Sequence, residues 1–298
     1  MSPSVPPCFS PAPTLMTAPD WLDRSAYPFP SSFFDVGAGR MHYVDVGKGP
    51  VVVLVHGTPT WSFLYRCLID DLQQDHRVIA PDLLGFGLSD KPQTEAVAPP
   101  RQAEHLRALL DHLELDRFTL IVHDFGGPIG LSYALDHPDQ IDRLVLFNTW
   151  MWPLEDTATR WASRLFGTRL GRWVYTHWNF SPDVMLPALT NQALSAEVHA
   201  HYQRPFPTPD TRHAPWLFAR DLVGADDWYA SLWERRDGLR SIPALLLWGE
   251  QDPGFDLEAL ARWQALFETA ETQTFPEAGH LPQEEAPDAV QSALRAFL

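Results

Sequence analysis

Three residues of this chain, Asp124, Asp252 and His280, could together carry nucleophilic catalysis. Residues 118–122 are an apolar run that ends at His123-Asp124, and Phe125-Gly126-Gly127 follows at once, ahead of a stretch with helical character. That order predicts a strand, a tight turn and a helix, with the Asp124 carboxylate held at the tip of the turn. An ionised carboxylate needs no base in order to attack saturated carbon or a strained ring, and the product is an ester on the enzyme. No Gly-x-Ser-x-Gly occurs in the chain, so no serine competes for this role. An Asp in this place could also simply cap the helix, but the residues downstream favour chemistry. His280 would activate a water to cleave the ester, while Asp252 would fix the imidazole tautomer and stabilise the imidazolium. The backbone N–H groups of Phe125 and Thr58 would hold the oxyanion formed when water attacks the ester carbonyl.

The elements that must position these groups can be read from the apolar pattern. Residues 51–55, four valines and a leucine, predict a strand buried on both faces, as in parallel sheets. Further strands are expected at 31–36, 40–46, 77–80, 141–148, 243–248 and 271–275. Helices are expected at 62–74, 100–113, 127–136, 257–267 and 286–298. The alternation gives an α/β fold, a mostly parallel central sheet with helices on both faces. Asp124, Asp252, His280 and the His56-Gly57-Thr58 turn all fall at carboxyl ends of predicted strands, where ligands bind in such sheets. Composition changes at Trp150, and from there to residue 240 only Trp, Pro and short helical stretches are found. The expected organisation is a core of residues 20–149 and 241–298, an inserted helical cap of residues 150–240, and a disordered Pro/Ser-rich tail of residues 1–19.

Composition narrows the partners. The chain has 298 residues, 45% hydrophobic and 20% charged, with a net charge of −16. Such acidity argues against nucleic acid and anionic membrane surfaces, which demand basic patches, and no apolar run is long enough to span a bilayer. Cys8 and Cys67 give no reason to expect a disulfide, and the N-terminus lacks the signature of a secretory signal, so a cytoplasmic protein is expected. Gly85-x-Gly87 lacks the full dinucleotide fingerprint, and the histidines show no metal-ligand spacing, His199 and His201 reading as solvated. No cofactor and no metal are expected. The partners are a small-molecule substrate and water, in a monomer or homodimer.

Several segments together resemble one known family: Tyr27-Pro28-Phe29, Met41-His42-Tyr43-Val44-Asp45, the run from His56 to Arg66, the run from Ala80 to Pro92, and His123-Asp124-Phe125-Gly126-Gly127. These are similar to the haloalkane dehalogenases, with the epoxide hydrolases as the neighbouring family. The resemblance implies an α/β-hydrolase fold and the triad order nucleophile, acid, base that Asp124, Asp252 and His280 follow. In one dehalogenase branch the acid follows the strand before the cap. Here that strand ends in Asn148, which places the acid at Asp252. The departures concern the leaving group. Dehalogenases hold the halide with side-chain N–H donors, usually a Trp after the nucleophile and often an Asn after His-Gly. This chain has Phe125, which has no N–H, and Thr58. A family proline that contacts the halide aligns with Ala219, at a place where epoxide hydrolases carry a ring-protonating tyrosine. Replacement donors from the cap are to be sought among Trp150, Trp152, Trp173, Trp178, Trp216, Tyr175, Tyr202 and Tyr229. Indole N–H groups facing Asp124 would favour a dehalogenase-like hydrolase of small apolar substrates. Tyrosine hydroxyls there would favour an epoxide hydrolase, and small strained lactones are a further candidate substrate. A binding protein without turnover is the third alternative, and the complete triad speaks against it.

Overall fold

The computed structural model describes residues 19–298, so the expected tail, apart from Pro19, lies outside the described residues, as does Cys8. Eight strands form a single sheet: β1 (Ser32–Asp35), β2 (Arg40–Gly47), β3 (Val51–Val55), β4 (Arg77–Pro81), β5 (Phe118–Asp124), β6 (Ile141–Thr149), β7 (Ala244–Gly249) and β8 (Glu271–Phe275). Their order across the sheet is β1-β2-β4-β3-β5-β6-β7-β8. The pairs β1–β2 and β2–β4 are antiparallel, and the rest of the sheet is parallel. The valine-rich β3 explains the layering. Val53 and Val55 enter the apolar core on one face, and Val52 and Leu54 enter the core on the other. All four are fully buried, and each such side chain contributes about 1.5–3 kcal/mol by leaving water. β5 lies between β3 and β6 and is buried along its whole length, so its carboxyl end sits at the middle of the sheet's edge.

Most predicted elements appear within a residue or two of their expected limits. The segment 62–74 is an exception. Its first turn, Ser62–Tyr65, is a tight 3-10 turn, and the α-helix covers only Arg66–Leu72. The Ser62 N–H is taken by the buried Asp82 carboxylate at 2.8 Å, which draws the turn onto the sheet. His201 also differs from expectation. It is 3% exposed, and its ring stacks on Phe63 at 4.3 Å with 4° between planes, covering an apolar surface that a solvated side chain would leave wet.

Between β6 and β7 the chain forms helices and no strand, among them Thr157–Phe166, Arg169–His177, Ala196–Gln203, His213–Gly224 and Asp226–Glu234. Side-chain caps from Asp156, Thr168 and Ser195 begin the first three by accepting backbone N–H groups that a helix start leaves unpaired. Phe218, on the fourth of these helices, packs against Phe125 (4.6 Å) and Phe86 (4.9 Å), which fastens the inserted helices over the turn after β5. Among the described residues no helix is long and apolar enough to cross a membrane.

Candidate active site

Asp124 ends β5 with φ +52°, a left-handed backbone conformation in a residue that is not glycine. Such strain persists only where the surroundings hold it. Here Thr149, at the end of the neighbouring β6, donates its hydroxyl to the Asp124 carbonyl at 2.5 Å. The helix Gly126–Asp136 then packs directly against the sheet. A Cβ on Gly127 would stand 1.8 Å from the Thr149 Oγ1, so only glycine lets the helix start there. The strand–turn–helix thus lifts the carboxylate above the sheet edge while keeping it 6% exposed.

The two carboxylate oxygens have different surroundings. Oδ1 accepts the Thr58 N–H at 2.8 Å, and the Phe125 backbone N–H also serves the carboxylate. Gly57 permits this approach, since a Cβ there would lie 2.1 Å from Oδ1. Oδ2 faces His280, whose Nε2 is 3.6 Å away, beyond hydrogen-bond reach. Burial raises the Asp124 pKa to about 6, against the lowering effect of the His280 charge and the two N–H donors.

His280 follows β8 and is fixed from several sides. Its Nδ1 lies 2.8 Å from Asp252 Oδ2. Its backbone N–H donates to Leu189 of the inserted segment (2.9 Å), and its carbonyl accepts from His123 Nε2 (2.8 Å). Burial works to lower the His280 pKa, but the Asp252 and Asp124 carboxylates outweigh it and raise it to about 9. His123 is driven well below its usual value by burial and the nearby His280, which suits a neutral ring that positions rather than reacts. His56 donates from Nδ1 to the Gly57 carbonyl (2.7 Å) and accepts at Nε2 from the Leu83 N–H (2.9 Å), holding the β3 turn in shape.

Two further groups support the site without having been singled out for it. The Asn148 amide donates to Asp252 Oδ2 (2.9 Å) and exchanges hydrogen bonds with Gly249, joining the ends of β6 and β7. Glu285 accepts the N–H groups of Gly279 and Leu281 on either side of His280, and those of Asn191 and Gln192 in the inserted segment. Nothing in the spacing of the sequence around His280 singles out Glu285.

Above Asp124 lies a cavity of about 300 Å³, lined mainly by apolar side chains that include Phe125, Leu154, Phe166 and Ala219. Thr58, Asp124, Phe125, Ala219 and His280 all line it. Of the eight Trp and Tyr candidates, only Tyr175 does so. Trp173 and Trp178 are 49% and 62% exposed, because they fall on the solvent side of their helical segment. Trp216 donates its indole N–H to the Phe166 carbonyl, and Trp152 packs between Trp233 and Trp263. Trp150 does not line the cavity; it packs edge-on to Phe125 and stacked on Phe255, and its buried indole N–H has no hydrogen-bond partner. Tyr202 donates to Glu284 and Tyr229 to the Asp221 carbonyl. Tyr175 rests its hydroxyl on Met185 Sδ at 3.5 Å, a weak acceptor. Of the hydroxyls that line the cavity, that of Thr58 is buried without a hydrogen-bond partner, and that of Ser181 lies beside the Tyr175 hydroxyl. The described residues hold no His, Cys, Asp and Glu group able to bind a metal ion.

A family model described as the alpha/beta hydrolase fold matches residues 50–287. The chain is 36% identical to haloalkane dehalogenase 2 of Mycobacterium tuberculosis, over 91% of this chain and 96% of the relative. It is 34% identical to a cis-3-alkyl-4-alkyloxetan-2-one decarboxylase of Shewanella oneidensis, over 91% of this chain and 89% of that one. Among solved structures, the haloalkane dehalogenase DatA from Agrobacterium tumefaciens matches with a TM-score of 0.81 at 26% identity, covering 90% of this chain and 95% of the other. The strained carboxylate at the end of β5, the apolar cavity above it and these relatives agree: the chain is an α/β-hydrolase-fold enzyme and belongs to the haloalkane dehalogenase family.

Proposed function

We propose that this enzyme opens small apolar electrophiles by attack of Asp124 Oδ2, forming an ester that a His280-activated water then cleaves. The observation that carries this reading is the division of labour on one carboxylate. Oδ1 is held by the Thr58 N–H, whereas Oδ2 faces both the apolar cavity and His280. A pKa of about 6 leaves Asp124 ionised at neutral pH and able to attack. In the resting state two carboxylates keep His280 protonated. Esterification removes the Asp124 charge and with it one of those supports. The imidazolium then gives up its proton to solvent, and the neutral ring takes a proton from water as the oxygen adds to the ester carbonyl. The oxyanion gathers on the oxygen facing the Thr58 and Phe125 N–H groups, and collapse returns the carboxylate and releases the alcohol.

The leaving group favours strained oxygen rings over halides. No indole N–H lines the cavity, and losing one donor to developing charge costs roughly 3–4 kcal/mol, some hundred- to thousandfold in rate. The Tyr175, Ser181 and Thr58 hydroxyls are instead available to an oxygen atom. As Oδ2 attacks the ring carbon, the C–O bond breaks and its electron pair goes to that oxygen. An epoxide alkoxide takes the Tyr175 proton, and the proton that the His280 imidazolium gives up restores it. The carboxylate leaving from a lactone needs only the hydroxyl hydrogen bonds. Two relatives named for an oxetan-2-one, a four-membered lactone, support this class. Two measurements test the reading. A single turnover in oxygen-18 water should put the label into Asp124 and not into product; label in product alone would refute covalent attack. Tyr175→Phe should slow epoxide opening at least tenfold more than displacement of a halide. Equal effects on both would remove Tyr175 as the acid.

A further inference from the structure

The overall charge hides a local reversal. Residues 157–182, which hold the helices Thr157–Phe166 and Arg169–His177, contain four arginines and no Asp or Glu, in a chain of net charge −16. Arg160 pairs with Asp226, and Arg172 lies over the Trp216 ring. Arg164 and Arg169 are exposed and have no ion-pair partner among the described residues. The same stretch is also unusually apolar on its outside. Of eight exposed large hydrophobic side chains among the described residues, five belong to it: Trp161, Leu165, Leu170, Trp173 and Trp178. These side chains recur at helical spacing, Trp161 with Leu165 and Leu170 with Trp173, so each helix shows one apolar side to solvent. Ala162, on the first helix, is exposed and also lines the catalytic cavity, so the patch borders the cavity mouth.

We propose that this face docks on an anionic lipid surface, with Trp161, Leu165, Leu170, Trp173 and Trp178 entering the interfacial layer and Arg164 and Arg169 meeting the head groups. Trp and Leu beside unpaired Arg on acid-free helices is the composition of surface-lying amphipathic helices, and indole rings suit the boundary between head groups and acyl chains. A symmetric contact between two copies is disfavoured by charge, because it would bring the same arginines face to face. The cavity mouth would then open toward the layer where apolar compounds concentrate.

The test is co-sedimentation of the full chain with vesicles of phosphatidylcholine alone or with about one-third phosphatidylglycerol. Binding is expected with the anionic vesicles, falling as salt is raised. Each arginine near a charged surface is worth about fivefold in partitioning, so Arg164→Gln with Arg169→Gln should weaken it about 25-fold. Trp161→Ala with Leu170→Ala should abolish binding even at low salt, separating interfacial insertion from mere charge attraction. Both double variants should keep the wild-type circular dichroism and turnover of a water-soluble substrate. No sedimentation with anionic vesicles, or binding unaffected by either double variant, would overturn the proposal. So would a wild-type dimer that the Trp161→Ala, Leu170→Ala variant converts to monomer, since a second copy would then cover the face.

Discussion

Replacing Asp252 by Asn should separate the two chemical steps. Asp252 Oδ2 lies 2.8 Å from His280 Nδ1, and the carboxylates around His280 raise its pKa from 6.5 to about 9 despite burial. In the proposed mechanism the esterified Asp124 carries no charge, so Asp252 is left as the chief support of the imidazolium that forms when water is deprotonated. Asp252→Asn therefore leaves burial opposed only by the Glu285 charge and should slow ester hydrolysis on the order of a hundredfold. Attack by Asp124 does not use His280, and its rate should change little. Rapid-quench kinetics on an epoxide should show a burst of about one equivalent of ester per enzyme, followed by a slow steady state. Loss of the burst together with the steady-state rate would refute the two-step assignment, and so would an unchanged steady state.

The other expectations test the parts of the site separately. Ester formation should fall roughly tenfold per pH unit below about 6, because the protonated Asp124 carboxyl, whose pKa burial raises to that value, has no nucleophilic oxygen. Stopped-flow burst rates across the acid limb measure this, and a rate flat down to pH 4 would contradict it. Gly57→Ala puts a Cβ 2.1 Å from Asp124 Oδ1, so kcat/KM should fall at least about a hundredfold through misplacement of the nucleophile, with the fold retained by circular dichroism. Phe125→Trp offers an indole N–H beside the nucleophile and should raise haloalkane turnover at least about tenfold relative to ring opening; halide-release assays decide. Asn148→Leu leaves the Gly249 N–H and one side of Asp252 unpaired, which should cost about 1–3 kcal/mol in urea unfolding.

The sheet and the elbow were legible in the sequence because their determinants are local. The valine run of β3 and the apolar run ahead of Asp124 are short, rich in β-branched residues and closed by turn residues, which reads as doubly buried strands. The alternation of strands and helices was enough to place Asp124, Asp252 and His280 at the carboxyl ends of strands, those of β5, β7 and β8. The inserted helices were much less legible. Their Trp and Tyr residues look alike in sequence, and whether Trp173 faces water or Tyr175 faces the cavity depends on how one short helix is rotated against the next. Two residues apart on that helix, the side chains point opposite ways. His201 was hidden for the same reason, since its burial depends on Phe63, which is far away in sequence. Asn148 and Glu285 act on Asp252 and on the His280 loop through contacts across strand ends, which no spacing rule reports. The basic face of residues 157–182 is hidden in composition because a net charge of −16 averages over it.

The most direct test of Asp124 as nucleophile is intact mass of a His280→Phe variant exposed separately to epoxides, lactones and haloalkanes. Without the base, the ester should accumulate to one equivalent and map to Asp124, strongly with the strained oxygen rings and weakly with the halides. A folded variant that gains no mass from any of them, or carries the adduct on another residue, would contradict covalent catalysis by Asp124.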